Sequence, residues 1–122
     1  MTWPDADSIL ALIRRYNLPR DAADPLAALL DRLAQSEAPT SVHDRRRAVD
    51  VHIADSLAGL EIEELRTARL MADLGAGAGL PGLALAAVLP DTLVVLVESS
   101  RRKCEFLGSA IAAMELANAE VV

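Results

Sequence analysis

The chain has 122 residues and a mass of 13.0 kDa, enough for one compact domain and too short for two ordinary ones. Eighteen acidic against twelve basic side chains give a formal net charge of −6, −3 on each side of residue 70, which excludes a generally basic nucleic-acid coat. Apolar residues at 52% against 25% charged exclude disorder, and a single cysteine, Cys104, excludes a disulfide-stapled fold.

Helices come first. Asp5 or Asp7 can cap one carrying Ile9, Leu10 and Ile13 on a single face, broken at Asn17-Leu18-Pro19. Asp24-Pro25 marks a second start, with Leu26, Leu29, Leu30 and Leu33 as its apolar stripe. Ser36 to Val42 reads as a loop. Asp44 can cap a third helix running to about Ala58, with Val49, Ile53, Leu57 and Leu60 inward.

From Arg69 the texture changes. Leu70–Leu74 is a short strand, the glycine-rich run to Gly79 a turn, and Leu80–Leu89 an Ala/Leu helix closed by Pro90-Asp91. Leu93–Val97 is a β-branched strand buried on both faces. Ser99 or Ser100 opens a helix ending near Asn118, on whose inner face Cys104 is expected as a buried thiol. Glu120-Val121-Val122 begins a third strand. The fold class is α/β: N-terminal helices (1–66), then the first βαβαβ half of a doubly wound parallel sheet (67–122).

The N-terminus shows neither a basic region nor an apolar run, so it does not read as a signal peptide. The uncharged stretch Leu74–Pro90 is interrupted by four glycines and two prolines, so it does not read as a membrane helix. A cytoplasmic protein without membrane partners is expected. His43, His52 and one cysteine make no zinc site, so no metal is expected.

The glycine run supports two ligands. Gly77, Gly79 and Gly82 fit the dinucleotide pattern G-x-G-x-x-G. Gly75, Gly77 and Gly79, preceded by Asp73, fit the acidic-x-G-x-G-x-G pattern of enzymes using S-adenosylmethionine (SAM). The strand ends near Leu74, which suits a turn beginning at Gly75. Pro81 removes an N–H where a pyrophosphate would want one, and Asp73 suits a cationic ligand better than a diphosphate. Glu98, at the end of the second strand, is placed to accept from ribose hydroxyls of either cofactor.

Asp73-Leu74-Gly75-Ala76-Gly77-Ala78-Gly79-Leu80-Pro81-Gly82, then Pro90, Glu98-Ser99, Arg102-Lys103 and Phe106-Leu107, resemble the bacterial 16S ribosomal RNA guanine-N(7) methyltransferases, the glucose-inhibited division protein B family. His52-Ile53-Ala54-Asp55-Ser56-Leu57 resembles that family's His-x-x-Asp-Ser-Leu signature, while Ala38-Pro39-Thr40 replaces its Asn-Leu-Thr and keeps only the threonine. The resemblance implies a Rossmann-like sheet and SAM-dependent methylation of a guanine N7 in small-subunit rRNA. It also implies that this chain corresponds to about half of such an enzyme.

By that resemblance Asp73, Gly75, Gly77, Gly79, Leu80 and Glu98 bind the cofactor. His52, Asp55 and Ser56 share one helix edge by their spacing and would face the active-site mouth, or instead dock helix to sheet. Arg101, Arg102 and Lys103 sit in a first helical turn, where positive charge opposes the helix dipole, and so are candidates for RNA phosphate. Arg45–Arg47 form a second basic knot. Two other readings stay open: a non-catalytic module that self-associates through an uncovered Leu70–Leu74 edge, and an NAD(P)-binding domain.

Overall fold

A computed structural model describes residues 6–35 and 38–122. Asp5, one of the two expected caps, and Ser36, the start of the expected loop, lie outside the described residues. Helix α1 (Ala6–Arg15) buries Ile9 and Ile13, and Asp7 falls inside its first turn rather than before it. The chain turns at Asn17, where φ is +52°, and re-enters helix through a 3₁₀ turn, Arg20–Ala22.

That turn runs straight into α2 (Ala23–Leu33), so Asp24 is not a cap as expected; it lies in the first turn, and Ala22 precedes the helix without a side-chain cap. Pro25 is tolerated there because N–H groups of a first turn lack intrahelical partners. Leu26, Leu29, Leu30 and Leu33 are fully buried, as the stripe predicts.

The expected third helix is a composite. Asp44 does cap it, its Oδ1 accepting from the Arg47 N–H at 3.1 Å. After α3 (Arg45–Ala48) the backbone widens into a π-helical stretch, Val49–Ala54, then tightens through α4 (Asp55–Leu57) into a 3₁₀ turn, Ala58–Glu61. Val49, Ile53, Leu57 and Leu60 nevertheless face inward. A further short helix, α5 (Glu63–Arg66), buries no residue fully, which is why no apolar period announces it.

Strands β1 (Leu70–Leu74), β2 (Leu93–Val97) and β3 (Ala119–Val121) form a parallel sheet in the order β1-β2-β3, with Asp73 opposite Leu96 and Leu74 opposite Val97. Between them run α6 (Gly82–Val88), shorter than expected because Ala78–Pro81 is turn, and α7 (Arg101–Met114). Ser100 caps α7 by accepting from the Lys103 N–H, and Glu115 ends it in left-handed conformation, before Asn118. This is the Rossmann-like half-sheet preceded by helices.

Helices α2 and α4 pack over α6, and α2 packs over α7. Helix α6 is therefore buried from both sides, between sheet and helical layer. That explains its all-round apolar sequence, Gly-Leu-Ala-Leu-Ala-Ala-Val. The opposite sheet face pairs Leu70, Ala72 and Leu74 with Leu93, Val95 and Val97 and is open, so β2 is covered on one face only and not on both as expected, with Leu70 and Leu74 66% and 77% exposed. No helix among the described residues is long and apolar enough to cross a membrane.

Candidate functional site

The carboxyl ends of β1 and β2 bring Asp73, the glycine loop and Glu98 together. Gly75, Gly77 and Gly79 have φ of +70°, +54° and +89°, a left-handed succession open to glycine with little strain. The N–H groups of Gly75 and Ala76 both donate to the Val97 carbonyl, at 2.8 and 3.0 Å. Gly77 N–H donates to Glu98 Oε1 at 2.9 Å and Gly79 N–H to the Ala76 carbonyl at 2.7 Å. Gly82 N–H donates to Asp73 Oδ2 at 3.0 Å. Both expected ligand-binding acids therefore also anchor the loop.

Their environments differ. Burial pushes the Asp73 carboxyl above its usual range, opposed by the Gly82 N–H. The Ser100 N–H, at 2.9 Å from Oε2, and then the Gly77 N–H hold Glu98 below it, with Lys103 assisting. Each Glu98 oxygen uses one acceptor position on the backbone and keeps another.

The glycines also divide by what surrounds them. A Cβ at Gly75 would meet nothing within 4 Å, and one at Gly77 only the Gly75 carbonyl at 3.8 Å, so both border open space. At Gly79 it would strike the Leu83 side chain. At Gly82 it would lie 2.5 Å from Leu96 Cδ2 and 2.7 Å from Asp73 Oδ2. Gly79 and Gly82 serve packing, whereas Gly75 and Gly77 leave backbone accessible. The role of Gly82 escaped sequence reasoning, although a glycine directly after Pro81 at a helix start hints at close approach.

His52, Asp55 and Ser56 do share an edge. It lines a cavity of ≈ 240 Å³ whose other walls are Val51, Gly59, Leu65, Leu80, Pro81 and Leu85. His52 Nε2 lies 3.0 Å from Thr40 Oγ1, which itself accepts from the Val42 N–H at 3.2 Å. Burial lowers the His52 pKa, against a hydrogen bond to the Val42 backbone. Thr40 is thus a positioning residue for His52. Asp73, Glu98 and the glycines from Gly75 to Gly79 do not line this cavity; Leu80 and Pro81 connect the two places.

Arg101 and Arg102 are exposed at the start of α7, Arg101 paired with Glu105 at 3.5 Å. Arg46 and Arg47 are exposed on α3, and His43 Nδ1 meets the Leu33 carbonyl at 3.2 Å, tying the loop to α2. Cys104 is only half-buried, its thiol donating to the Glu98 carbonyl at 3.2 Å rather than lying in the core as expected. Among the described residues no group of three or more His, Cys, Asp or Glu could hold a metal ion.

A family model described as rRNA small subunit methyltransferase G, GidB, matches residues 21–122. The chain belongs to the GidB family. It is 42% identical over 122 residues to the ribosomal RNA small subunit methyltransferase G of Xanthomonas oryzae pv. oryzae, covering 97% of this chain and 56% of that protein. The corresponding Xanthomonas campestris pv. campestris protein is 38% identical with the same coverage. That of Rubrobacter xylanophilus is 45% identical over 71 residues, 58% of this chain and 27% of that one. The chain thus spans little more than half the length of its GidB relatives from Xanthomonas.

Proposed function

We propose that the chain supplies the cofactor-loop half of a SAM-dependent methyltransferase acting on the N7 of a guanine in small-subunit rRNA, in the cytoplasm. The observation that carries this reading is the inward consumption of the loop's N–H groups at Gly75, Ala76, Gly77, Gly79 and Gly82. A pyrophosphate needs such donors free. An adenosyl ligand with a cationic end needs acceptors and close backbone approach, and both are present.

S-adenosylmethionine supplies an electrophilic methyl group on a sulfonium. Open backbone at Gly75 and Gly77 admits the ligand, and Leu80 offers an apolar wall. Asp73 Oδ1 remains for the ligand's ammonium, and a cation there favours the ionised carboxylate that burial disfavours. The spare acceptor positions of Glu98 suit ribose hydroxyls. Guanine N7 carries a lone pair and loses no proton when methylated, so no general base is required, and the chain's task is alignment. Arg101, Arg102 and Lys103 would meet RNA phosphate beside the site.

Calorimetry on the full chain tests this. SAM is expected to bind at least tenfold more tightly than NAD, and Gly77→Val to abolish SAM binding. Tighter binding of NAD would sink the proposal.

The open sheet face favours one second reading, a module that self-associates through β1 and the apolar face beside it. Light scattering would then show a dimer or larger species at high concentration; a clean monomer would remove that reading.

A further inference from the structure

We propose that the cavity between the end of α1 and the short helix α5 binds a free apolar α-amino acid, with Arg15 and Arg66 taking its carboxylate and Glu61 its ammonium group. Arg66 precedes the start of β1 and Leu89 follows the end of α6, so the cavity lies at the end of the sheet opposite the glycine loop. The proposal is therefore independent of the methyltransferase reading.

Segments distant in sequence meet here: the end of α1 with the turn at Asn17, the 3₁₀ turn Ala58–Glu61, α5, and the residue after α6. They enclose ≈ 400 Å³, within the range of about 300–1,000 Å³ for small-molecule sites. Tyr16, Leu18, Leu60 and Leu89 give the cavity apolar walls, and its charges come from Arg15, Glu61 and Arg66.

These charges line one space without meeting. Among the described residues neither guanidinium lies within 4.0 Å of a carboxylate, that of Glu61 included. Each is held by something else. Arg15 lies over the Tyr16 ring, 5.4 Å from its centroid, and Arg66 Nη1 donates to the Leu60 carbonyl at 3.2 Å. A guanidinium carries five N–H donors, so most of each fork stays available to a ligand.

Opposite charges facing one cavity select a ligand that carries both. A carboxylate can take parallel bonds from a guanidinium fork, and an ammonium one carbon away offers three donors to Glu61. A simple carboxylate would leave Glu61 facing like charge, and a phosphate ester would meet it with more. An amine alone would face two guanidiniums. The apolar walls then fit the rest of the molecule, an aliphatic side chain such as that of leucine.

Amide NMR on the ¹⁵N-labelled full chain tests the proposal, with titrations of L-leucine, of isocaproate, which lacks the ammonium, and of isoamylamine, which lacks the carboxylate. Leucine should shift the amides of Tyr16, Leu18, Glu61 and Leu89, with both analogues at least tenfold weaker at those positions. Arg15→Gln and Glu61→Gln, at exposed positions, should each weaken leucine at least tenfold in a spectrum that is otherwise native. Where a variant loses the native spectrum, the two analogues decide. An analogue binding as tightly as leucine, a folded variant with unchanged affinity, or no saturable shift at millimolar leucine would each overturn the proposal. So would leucine shifts confined to Gly75–Gly79 and Glu98. The SAM titration is separate: SAM binding without leucine at the cavity rejects the amino-acid site alone. Leucine at the cavity without SAM binding rejects the methyltransferase proposal alone.

Discussion

Asp73 and Gly82 are joined by a hydrogen bond of 3.0 Å that ties the end of β1 to the first residue of α6. Pro81 has no N–H to offer, so the carboxylate reaches the next amide, and the absence of a Cβ at Gly82 makes room for it. This contact brings helix and strands together and leaves Asp73 half-buried.

Gly82→Ala should therefore destabilise. Its Cβ would press on Leu96 and on the Asp73 carboxylate, and overpacking of this kind costs about 1–3 kcal/mol. Gly108→Ala, within α7 and facing open space, should instead stabilise by about 0.5–1 kcal/mol through helix propensity. Urea unfolding of both variants checks the pair. A Gly82→Ala protein as stable as Gly108→Ala would contradict the packing argument.

Gly77→Ala separates folding from binding. A Cβ there meets only the Gly75 carbonyl, at 3.8 Å, so the cost is the left-handed backbone, about 1–2 kcal/mol. The chain should stay folded, while SAM affinity falls at least tenfold because the methyl occupies the ligand's approach. Calorimetry beside circular dichroism distinguishes this from simple unfolding.

Glu98→Gln should loosen the loop although it conserves shape. Each carboxylate oxygen accepts one backbone N–H, from Gly77 and from Ser100, whereas the amide has only one acceptor and turns an NH₂ toward the other donor. The amide proton of Gly77 or Ser100 should exchange faster with solvent, readable by NMR. Because its pKa is lowered, Glu98 contributes stability above the usual carboxylate range and loses it as pH falls through the depressed value. That acid sensitivity should shrink in the variant.

Much of this was legible in the chain because the signals were local. The Leu93–Val97 run, the stripe from Leu26 to Leu33 and the glycines at alternate positions each report their own geometry. What stayed hidden depends on distant partners. Asp24-Pro25 looks like a cap until the preceding turn, Arg20–Ala22, is seen to be helical already. The π stretch at Val49–Ala54 leaves the inward positions at helical spacing, so periodicity cannot reveal it. For the site, Asp73 and Glu98 were visible as candidates, but their bonds to Gly82 and Gly77 cross nine and 21 residues. Thr40 gained its meaning only when folding placed it against His52.

His52 gives a pH dependence of definite sign. Burial lowers its pKa from 6.5, so between the depressed value and 6.5 the unfolded chain binds more protons than the native one. Its contribution to stability is fully present above 6.5 and is lost as pH falls through that window. His52→Gln should flatten the fall in melting temperature between about pH 7.5 and 5. A profile unchanged by the substitution would show that His52 does not titrate with unfolding.

Asn118 gives a prediction at the opposite end of the strands. Its Nδ2 lies 3.0 Å from each of the Ala86, Leu89 and Thr92 carbonyls, so two N–H bonds serve three acceptors. Ala86 and Leu89 sit at the end of α6, where the last carbonyls have no intrahelical partners. One side chain at the start of β3 thereby caps α6 and fixes the turn into β2, while Thr92 Oγ1 donates to the Ala68 carbonyl at 2.6 Å to close the same end. Asn118→Ala removes the donors of all three contacts and should cost about 1.5–4.5 kcal/mol, at roughly 0.5–1.5 kcal/mol for each. SAM affinity, measured where the chain remains folded, should change less than threefold, because the strand ends carrying Asp73 and Glu98 are remote from the clamp. A large loss of affinity in a fully folded Asn118→Ala protein would show that the two ends of the sheet are coupled.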